Sequence, residues 1–300
     1  MAENRDRTLI IIGGHEDKEY EKDILREVAR RVGNGKLVIT TIASNEPEGM
    51  FEEYSRIFRS LGVKHIYDLG IRSRIEGKEE RNIHILDDAT AVFFTGGDQL
   101  KITSQIGDTP IFTRIHEIYN EGGTIAGTSA GASVMCETML ISGRSDESQK
   151  TRGSIQLASG FGLIDGMIID QHFAQRGRIG RLLAAVAQNP KNIGVGIDEN
   201  TAVIVQGNRS LTVMGEGAVY IVDGTGVTTS NVNEEKSDQT LAVFDIRLHV
   251  LVQGDKFDLT TRRPLILSIE EGEKLIGREI HEPNISNSKL QSYTNGHKKQ

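Results

Sequence analysis

Leu9-Ile10-Ile11-Ile12-Gly13-Gly14 is a run of four apolar residues, three of them β-branched, stopped by a diglycine. A run that is short and continuous rather than alternating reads as a strand buried on both faces of a parallel sheet. Behind it Tyr20, Ile24, Leu25, Val28 and Val32 fall on one helical face. The unit then repeats. Residues 36–43 read as a strand, and Phe51, Tyr54, Ile57, Phe58 and Leu61 mark the apolar stripe of the next helix. Strands are expected at 66–71 and 91–95, a helix over 109–121 carrying Ile111, Ile115 and Ile118, and a short buried strand at 124–126. This alternation specifies an α/β fold, a mostly parallel sheet with helices on both faces. Beyond Asn192 strands joined by Gly-rich turns follow at 192–197, 202–205, 211–213, 219–222 and 242–252. They are expected as C-terminal antiparallel hairpins on one side of the main sheet. No Pro- or Ser-rich linker sets them apart, so residues 1–283 are expected to form one domain with a β-rich extension from about 192. The polar, aperiodic stretch 284–300 is expected to be a disordered tail.

Composition narrows the function. With 300 residues, 37% apolar and 26% charged, 33 Gly and 5 Pro, the chain is neither disordered, collagen-like nor coiled coil. Asp and Glu number 42 against 35 Lys and Arg, a net charge of −7, and no basic stripe interrupts that balance. Nucleic acid is therefore not an expected partner. The single cysteine, Cys136, permits no intramolecular disulfide, and the eight histidines show neither paired spacing nor a Cys-x-x-Cys partner, so no metal is expected. The first apolar run is far too short for a signal-peptide core or a membrane span, and the protein is expected to be cytoplasmic.

Gly127-Thr128-Ser129-Ala130-Gly131 lies between the apolar 124–126 and an Ala/Val/Met-rich segment expected to be helical. Strand, sharp turn and helix is the setting of a nucleophile elbow, where glycines two residues either side of the serine remove colliding Cβ atoms. The alternative is a helix cap with Ser129 bonded only to backbone. A nucleophile needs a base, an orienting acid and an oxyanion site. Met167-Ile168-Ile169-Asp170-Gln171-His172-Phe173 brings His172 to a strand end, as base or as a satisfied core histidine. Ile197-Asp198-Glu199-Asn200 offers two carboxylates, either of which can hold the imidazole tautomer. Phe93-Phe94-Thr95-Gly96-Gly97-Asp98-Gln99 ends a strand in a diglycine whose amide can join that of Ala130 in binding an oxyanion. Arg176, Arg178 and Arg181 form a basic cluster suited to carboxylate recognition, or to ion pairs with acidic neighbours.

Taken in order, Thr95-Gly96-Gly97-Asp98-Gln99, the Gly127–Ala132 motif, Asp170-Gln171-His172-Phe173 with the three arginines, and Gly196-Ile197-Asp198-Glu199 resemble the cyanophycinase family. The likeness spans about residues 9–265, including Arg247-Leu248-His249-Val250-Leu251 and Gly254-Asp255. These are serine peptidases related to the dipeptidase E group, with a class I glutamine amidotransferase-like fold. The resemblance implies Ser129 as nucleophile, His172 as general base then acid, and Glu199 as orienting carboxylate. It places the oxyanion amides at Gly97 and Ala130. It places substrate contacts at Gln99, Asp170, Gln171, Arg176, Arg178 and Arg181. The implied substrate is cyanophycin, a poly-aspartate backbone bearing arginine on each β-carboxyl, released as β-aspartyl-arginine dipeptides. Neither metal nor organic cofactor is implied, and the implied assembly is a homodimer. On this reading Asp170 meets a substrate guanidinium and the arginines meet its carboxylates.

Three rivals use the same elbow. An α/β-hydrolase esterase has chain order serine, acid, histidine, and would recruit His249 or His281. A dipeptidase E-like aspartyl peptidase would take its acid from Asp146 or Glu147. An inactive binding homologue would use none of them. The Gly13-Gly14-His15 turn lacks the Gly-x-Gly-x-x-Gly pattern of a dinucleotide site. Cys136, expected in the helix after the elbow, reads as a buried small residue.

Overall fold

A computed structural model describes residues 7–142, 155–207, 209–232 and 240–265, to which all structural statements here refer. The first run forms β1 (Thr8–Ile12), buried at every residue. Its side chains divide by the period of two: Leu9 and Ile11 enter one core, Ile10 and Ile12 the other. In chain order follow α1 (Asp23–Val32), β2 (Lys36–Thr40), α2 (Pro47–Ser60), β3 (His65–Asp68), a short α3 (Glu80–Ile83), β4 (Ala89–Phe94), α4 (Gln99–Ile106), α5 (Pro110–Asn120) and β5 (Thr124–Thr128). The five strands run parallel in the order β1-β5-β4-β2-β3. One face is covered by α1 and α2, which bury Ile24, Leu25, Val28, Tyr54, Ile57 and Phe58 against Ile10, Leu37 and Phe93. The other packs Ile102, Ile106, Ile111 and Ile115 of α4 and α5. Each such side chain, fully buried, contributes about 1.5–3 kcal/mol. The α/β fold with helices on both faces is therefore present.

Apart from two short two-stranded pairs, the later described strands distribute between two sheets rather than one. After the one-turn α6 (Ala130–Ser133) come the pair β6 (Thr138–Ser142) and β7 (Gln156–Ser159), then β8 (Met167–Gln171), α7 (Ile179–Gln188), β9 (Ile193–Ile197), β10 (Thr201–Gln206), β11 (Ser210–Gly215) and β12 (Val219–Asp223). The two-residue β13 (Thr229–Ser230) and β14 (Val243–Phe244) pair together, followed by β15 (Arg247–Leu251), β16 (Lys256–Asp258) and β17 (Arg263–Leu265). Strands β10, β11, β16 and β17 extend the main sheet antiparallel beyond β1, as expected of hairpins. The remaining four make a separate sheet, β15-β12-β9-β8, in which β8-α7-β9 is a parallel crossover unit. The chain passes between the sheets within three residues, from the end of β9 to the start of β10.

Three local expectations need correction. Tyr20 is not on the α1 stripe: it is 82% exposed in a turn ahead of the helix, organised by Asp17, whose carboxylate accepts the amides of Glu19, Tyr20 and Lys22. The expected strand 242–252 breaks at Asp245, at φ 62°. The helix after the elbow lasts one turn, because the carbonyls of Val134 and Met135 accept the amides of Phe161 and Leu163 at 2.7 and 2.9 Å instead of continuing helically. Cys136 therefore lies beyond it, fully buried and bridged to Ile164, with its thiol pushed up to about 12 by desolvation. The 283/284 boundary and the tail lie outside the described residues. Among the described residues no helix is long and apolar enough to cross a membrane.

Candidate active site

The site is assembled on the end of β1. Three successive carbonyls there each receive one amide from a different segment. Ile12 O accepts Ser129 N–H at 3.0 Å, Gly13 O accepts His172 N–H at 2.8 Å, and Gly14 O accepts Asn200 N–H at 2.9 Å. These amides belong to the turns after β5, β8 and β9, so one tripeptide sets the relative positions of all three. The turns are strained in the same sense: Ser129, His172 and Asn200 hold φ of 53°, 48° and 49°, which non-glycine residues seldom adopt. The diglycine is required by contact. A Cβ on Gly13 would lie 2.0 Å from Asp198 O, and one on Gly14 (φ +101°) 2.3 Å from His172 Cε1. Reading this turn only for a dinucleotide motif misses it; the signal was the diglycine at a strand end.

On this bed Ser129 Oγ stands 3.0 Å from His172 Nε2, and His172 Nδ1 stands 2.6 Å from Glu199 Oε1. A carboxylate only accepts, so Nδ1 carries the ring proton and Nε2 turns its lone pair to the serine hydroxyl. His172 is held below the ordinary histidine value, first by burial, then by the positive charge of Arg176, with the Glu199 hydrogen bond opposing. The imidazole is thus neutral and able to accept a proton near neutral pH. Of the two adjacent carboxylates only Glu199 faces the ring. Asp198 turns away, buried, and accepts the amides of Ala174 and Ala218 at 2.9 and 3.1 Å, locking the β8 and β9 turns together.

The elbow is as tight as its glycines imply. A Cβ on Gly127 would meet Gly131 O at 2.5 Å, and one on Gly131 would meet Phe94 O at 2.4 Å. Gly97, at φ +142°, passes so close to Ala43 that a side chain there would collide with its carbonyl. Among the described residues neither the Gly97 nor the Ala130 amide has a hydrogen-bond acceptor. Ahead of the serine, Thr128 Oγ1 donates to the buried Glu16 at 2.6 Å, and Tyr54 Oη donates to the same carboxylate at 2.5 Å. That contact drives the Tyr54 phenol well above its usual value, through burial and the neighbouring charge. Glu16 carries no local sequence signal, because its partners lie 38 and 112 residues away.

The charged residues around β8, expected as substrate contacts, bond to one another. Asp170 is 1% exposed and Arg181 4%, and Arg181 donates to both Asp170 oxygens, Nε at 2.6 Å. Arg178 adds a contact to Asp170 at 3.3 Å and two to Gln171, and burial brings its guanidinium down to about 10. The two charges expected to meet opposite ends of a substrate are thus paired with each other. The reason is geometric: Asp170 is an interior residue of β8, and Arg181 lies on the buried stripe of α7. Arg176 is the exposed member of the cluster. Gln99 starts α4 and donates to Leu140 O at 3.1 Å. A cleft of about 470 Å³ opens beside Ser129, bordered by Glu16, Asp17, Glu19, Tyr20 and Met50. His249 packs on Phe257, ring centroids 5.5 Å apart, while Ser129 bonds His172. Asp146, Glu147 and His281 lie outside the described residues.

An α/β scaffold presenting a serine on a strained elbow, bonded to a histidine and through it to a glutamate, defines a serine peptidase site. The chain belongs to peptidase family S51, whose model matches residues 9–213. It is similar to the cyanophycinase of Geminocystis herdmanii (strain PCC 6308), 37% identical over 266 residues, covering 88% of this chain and 97% of that one. The cyanophycinase of Trichormus variabilis (strain ATCC 29413 / PCC 7937) is 40% identical over 260 residues, covering 86% and 87%. Among solved structures, a peptidase from an acI-B1 Actinobacterium shares the fold, with a TM-score of 0.63 at 22% identity, over 85% of this chain and 98% of that one.

Proposed function

We propose that this peptidase hydrolyses cyanophycin through an acyl-enzyme on Ser129, releasing β-aspartyl-arginine dipeptides. The observation that carries the mechanism is the continuous relay from Ser129 Oγ through His172 to Glu199. As Ser129 attacks a backbone carbonyl, His172 Nε2 takes its proton, and Glu199 steadies the imidazolium that forms. The amides of Gly97 and Ala130, free of other acceptors, receive the oxyanion. His172 then protonates the departing amine, and water, deprotonated by the same ring, releases the product acid. No step calls on a metal or organic cofactor.

The names of the two relatives supply the substrate, and the site's charges suit it. The carboxylates of the cleft place negative potential beside the nucleophile, where the substrate's guanidinium groups would lie. The Asp17 carboxyl is held down at about 2 by the backbone amides of Lys22, Tyr20 and Glu19, so it remains charged. Arg176 and Gln99 are left to receive the substrate's carboxylates, while Asp170, Gln171, Arg178 and Arg181 act as the frame beneath them. The reading includes a cytoplasmic location and a homodimer, the dimer supported by exposed Leu248 and Val250 on edge strand β15 and testable by ultracentrifugation. Incubation with purified cyanophycin should yield β-aspartyl-arginine by mass analysis, and Ser129→Ala should yield none. Equal release by both proteins would overturn the proposal.

A further inference from the structure

A second imidazole stands beside the relay. His15 follows the diglycine with φ 47°, and its ring meets that of His172 edge to face at 5.2 Å between centroids. His15 Nε2 is 3.8 Å from Glu199 Oε1, the same oxygen that accepts from His172 Nδ1 at 2.6 Å. One donor atom each from His15, His172 and Glu199 thus falls within 4.8 Å of the other two. Bonds of about 2.0–2.1 Å in tetrahedral array put zinc ligands roughly 3.3 Å apart. The observed separations bracket that value: His15 must close by about 0.5 Å on Glu199, and His172 must open by about 0.7 Å. Two imidazoles and a carboxylate form a donor set suited to Zn2+, with one coordination position left over. The His15 side chain is 71% exposed and Glu199 29%, so an ion reaches them from solvent without unfolding.

We propose that Zn2+ binds between His15, His172 and Glu199 and reversibly inhibits the enzyme. The inhibition rests on the relay described above; the binding does not. The ion takes the lone pair of His172 Nδ1 and displaces the hydrogen bond to Glu199. The ring's single proton moves through solvent to Nε2, no net proton being gained or lost by the neutral ring. Nε2 then has no lone pair to accept the Ser129 proton. The ion acts as a lock on the base and takes no part in turnover. Local spacing hides this site, because residues 15, 172 and 199 belong to different turns and meet only on the end of β1.

Calorimetric titration of the intact chain with zinc chloride in a non-coordinating buffer tests the binding, and labelling of Ser129 by a fluorophosphonate tests the lock. Zn2+ should slow labelling in wild type, and EDTA should restore it. His15→Ala, scored against its own zinc-free rate, should need at least about tenfold more Zn2+ for the same inhibition and lose the corresponding heat. His84→Ala, which removes a surface His–Asp pair, should behave as wild type. The inference falls if His15→Ala binds Zn2+ and is inhibited as wild type is, or if His15-dependent binding leaves labelling unchanged. Failure to release dipeptides, with both zinc effects intact, would refute the substrate assignment and leave this inference standing.

Discussion

Adding one methyl at Gly14 should disable the enzyme without replacing any residue of the relay. An alanine Cβ there would lie 2.3 Å from His172 Cε1, 2.6 Å from Nε2 and 3.0 Å from Nδ1. Carbon atoms rest at about 3.5–4.0 Å, so the ring must withdraw by roughly 1.2–1.7 Å. The Ser129–His172 contact, now 3.0 Å, then stretches beyond about 4 Å and ceases to be a hydrogen bond. Losing a positioned general base costs about 10²–10⁴ in rate, or roughly 3–5 kcal/mol of transition-state stabilisation. The positive φ of 101° adds about 1–3 kcal/mol of backbone strain to the folded state, which thermal melting reads separately. The assay is the rate of Ser129 acylation by a fluorophosphonate, independent of the natural substrate. A double-mutant cycle isolates the cause: in a His172→Ala background Gly14→Ala should alter the rate by less than about twofold, because the ring it displaces is gone. Acylation of Gly14→Ala within about threefold of wild type, or a penalty that persists in the His172→Ala background, would refute the argument.

Three further expectations follow from the charges. Burial lowers the pKa of His172, so the acid limb of kcat/KM should have its midpoint below 6.5. The unfolded chain binds that proton at higher pH, so the residue's contribution to stability is present above 6.5 and lost as pH falls through the folded value. Glu199→Gln removes the interaction that opposes this shift, and should move the limb lower still while reducing kcat by about 10²–10⁴; a limb that rises contradicts the assignment. Asp170→Asn strips the buried Arg181 guanidinium of its carboxylate and should lower stability by about 3–5 kcal/mol in urea titration. A loss below about 1 kcal/mol would show that the pair is not part of the frame.

The parallel core was legible because its signal is local. Leu9–Ile12 and 91–95 are apolar on both faces, and each is followed by a helical stripe, so no distant contact is needed to read them. The second sheet was not legible in this way. Strands β9 and β10 have similar composition and are three residues apart, yet belong to different sheets. What separates them is the reversal at Asn200, whose amide is held by Gly14, nearly two hundred residues earlier. The serine, the histidine and the glycines of the elbow were visible as short motifs at strand ends. The choice between Asp198 and Glu199, and the pairing of Asp170 with Arg181, depend on which way a side chain leaves its strand, and burial decides that. A cluster of three arginines within six residues looks like a surface patch until α7 turns one of them into the core.

The same reasoning explains why the diglycine after β1 matters more than its lack of functional groups suggests. Ser129 follows a strand of the main sheet, while His172 and Glu199 belong to turns of the second, so no single layer contains the relay. Three strained turns must be held at once, and isolated residues at φ near +50° relax toward ordinary conformations at a gain of about 1–3 kcal/mol each. Each is prevented from doing so by the hydrogen bond its N–H donates to the carbonyl of Ile12, Gly13 or Gly14. Such a bond is worth about 0.5–1.5 kcal/mol net, comparable to the strain it restrains. The three carbonyls can serve three segments only because neither glycine carries a Cβ between them and their partners. Strand β1 is thus both the centre of the fold and the template of the site, and its two functions meet where the apolar run stops.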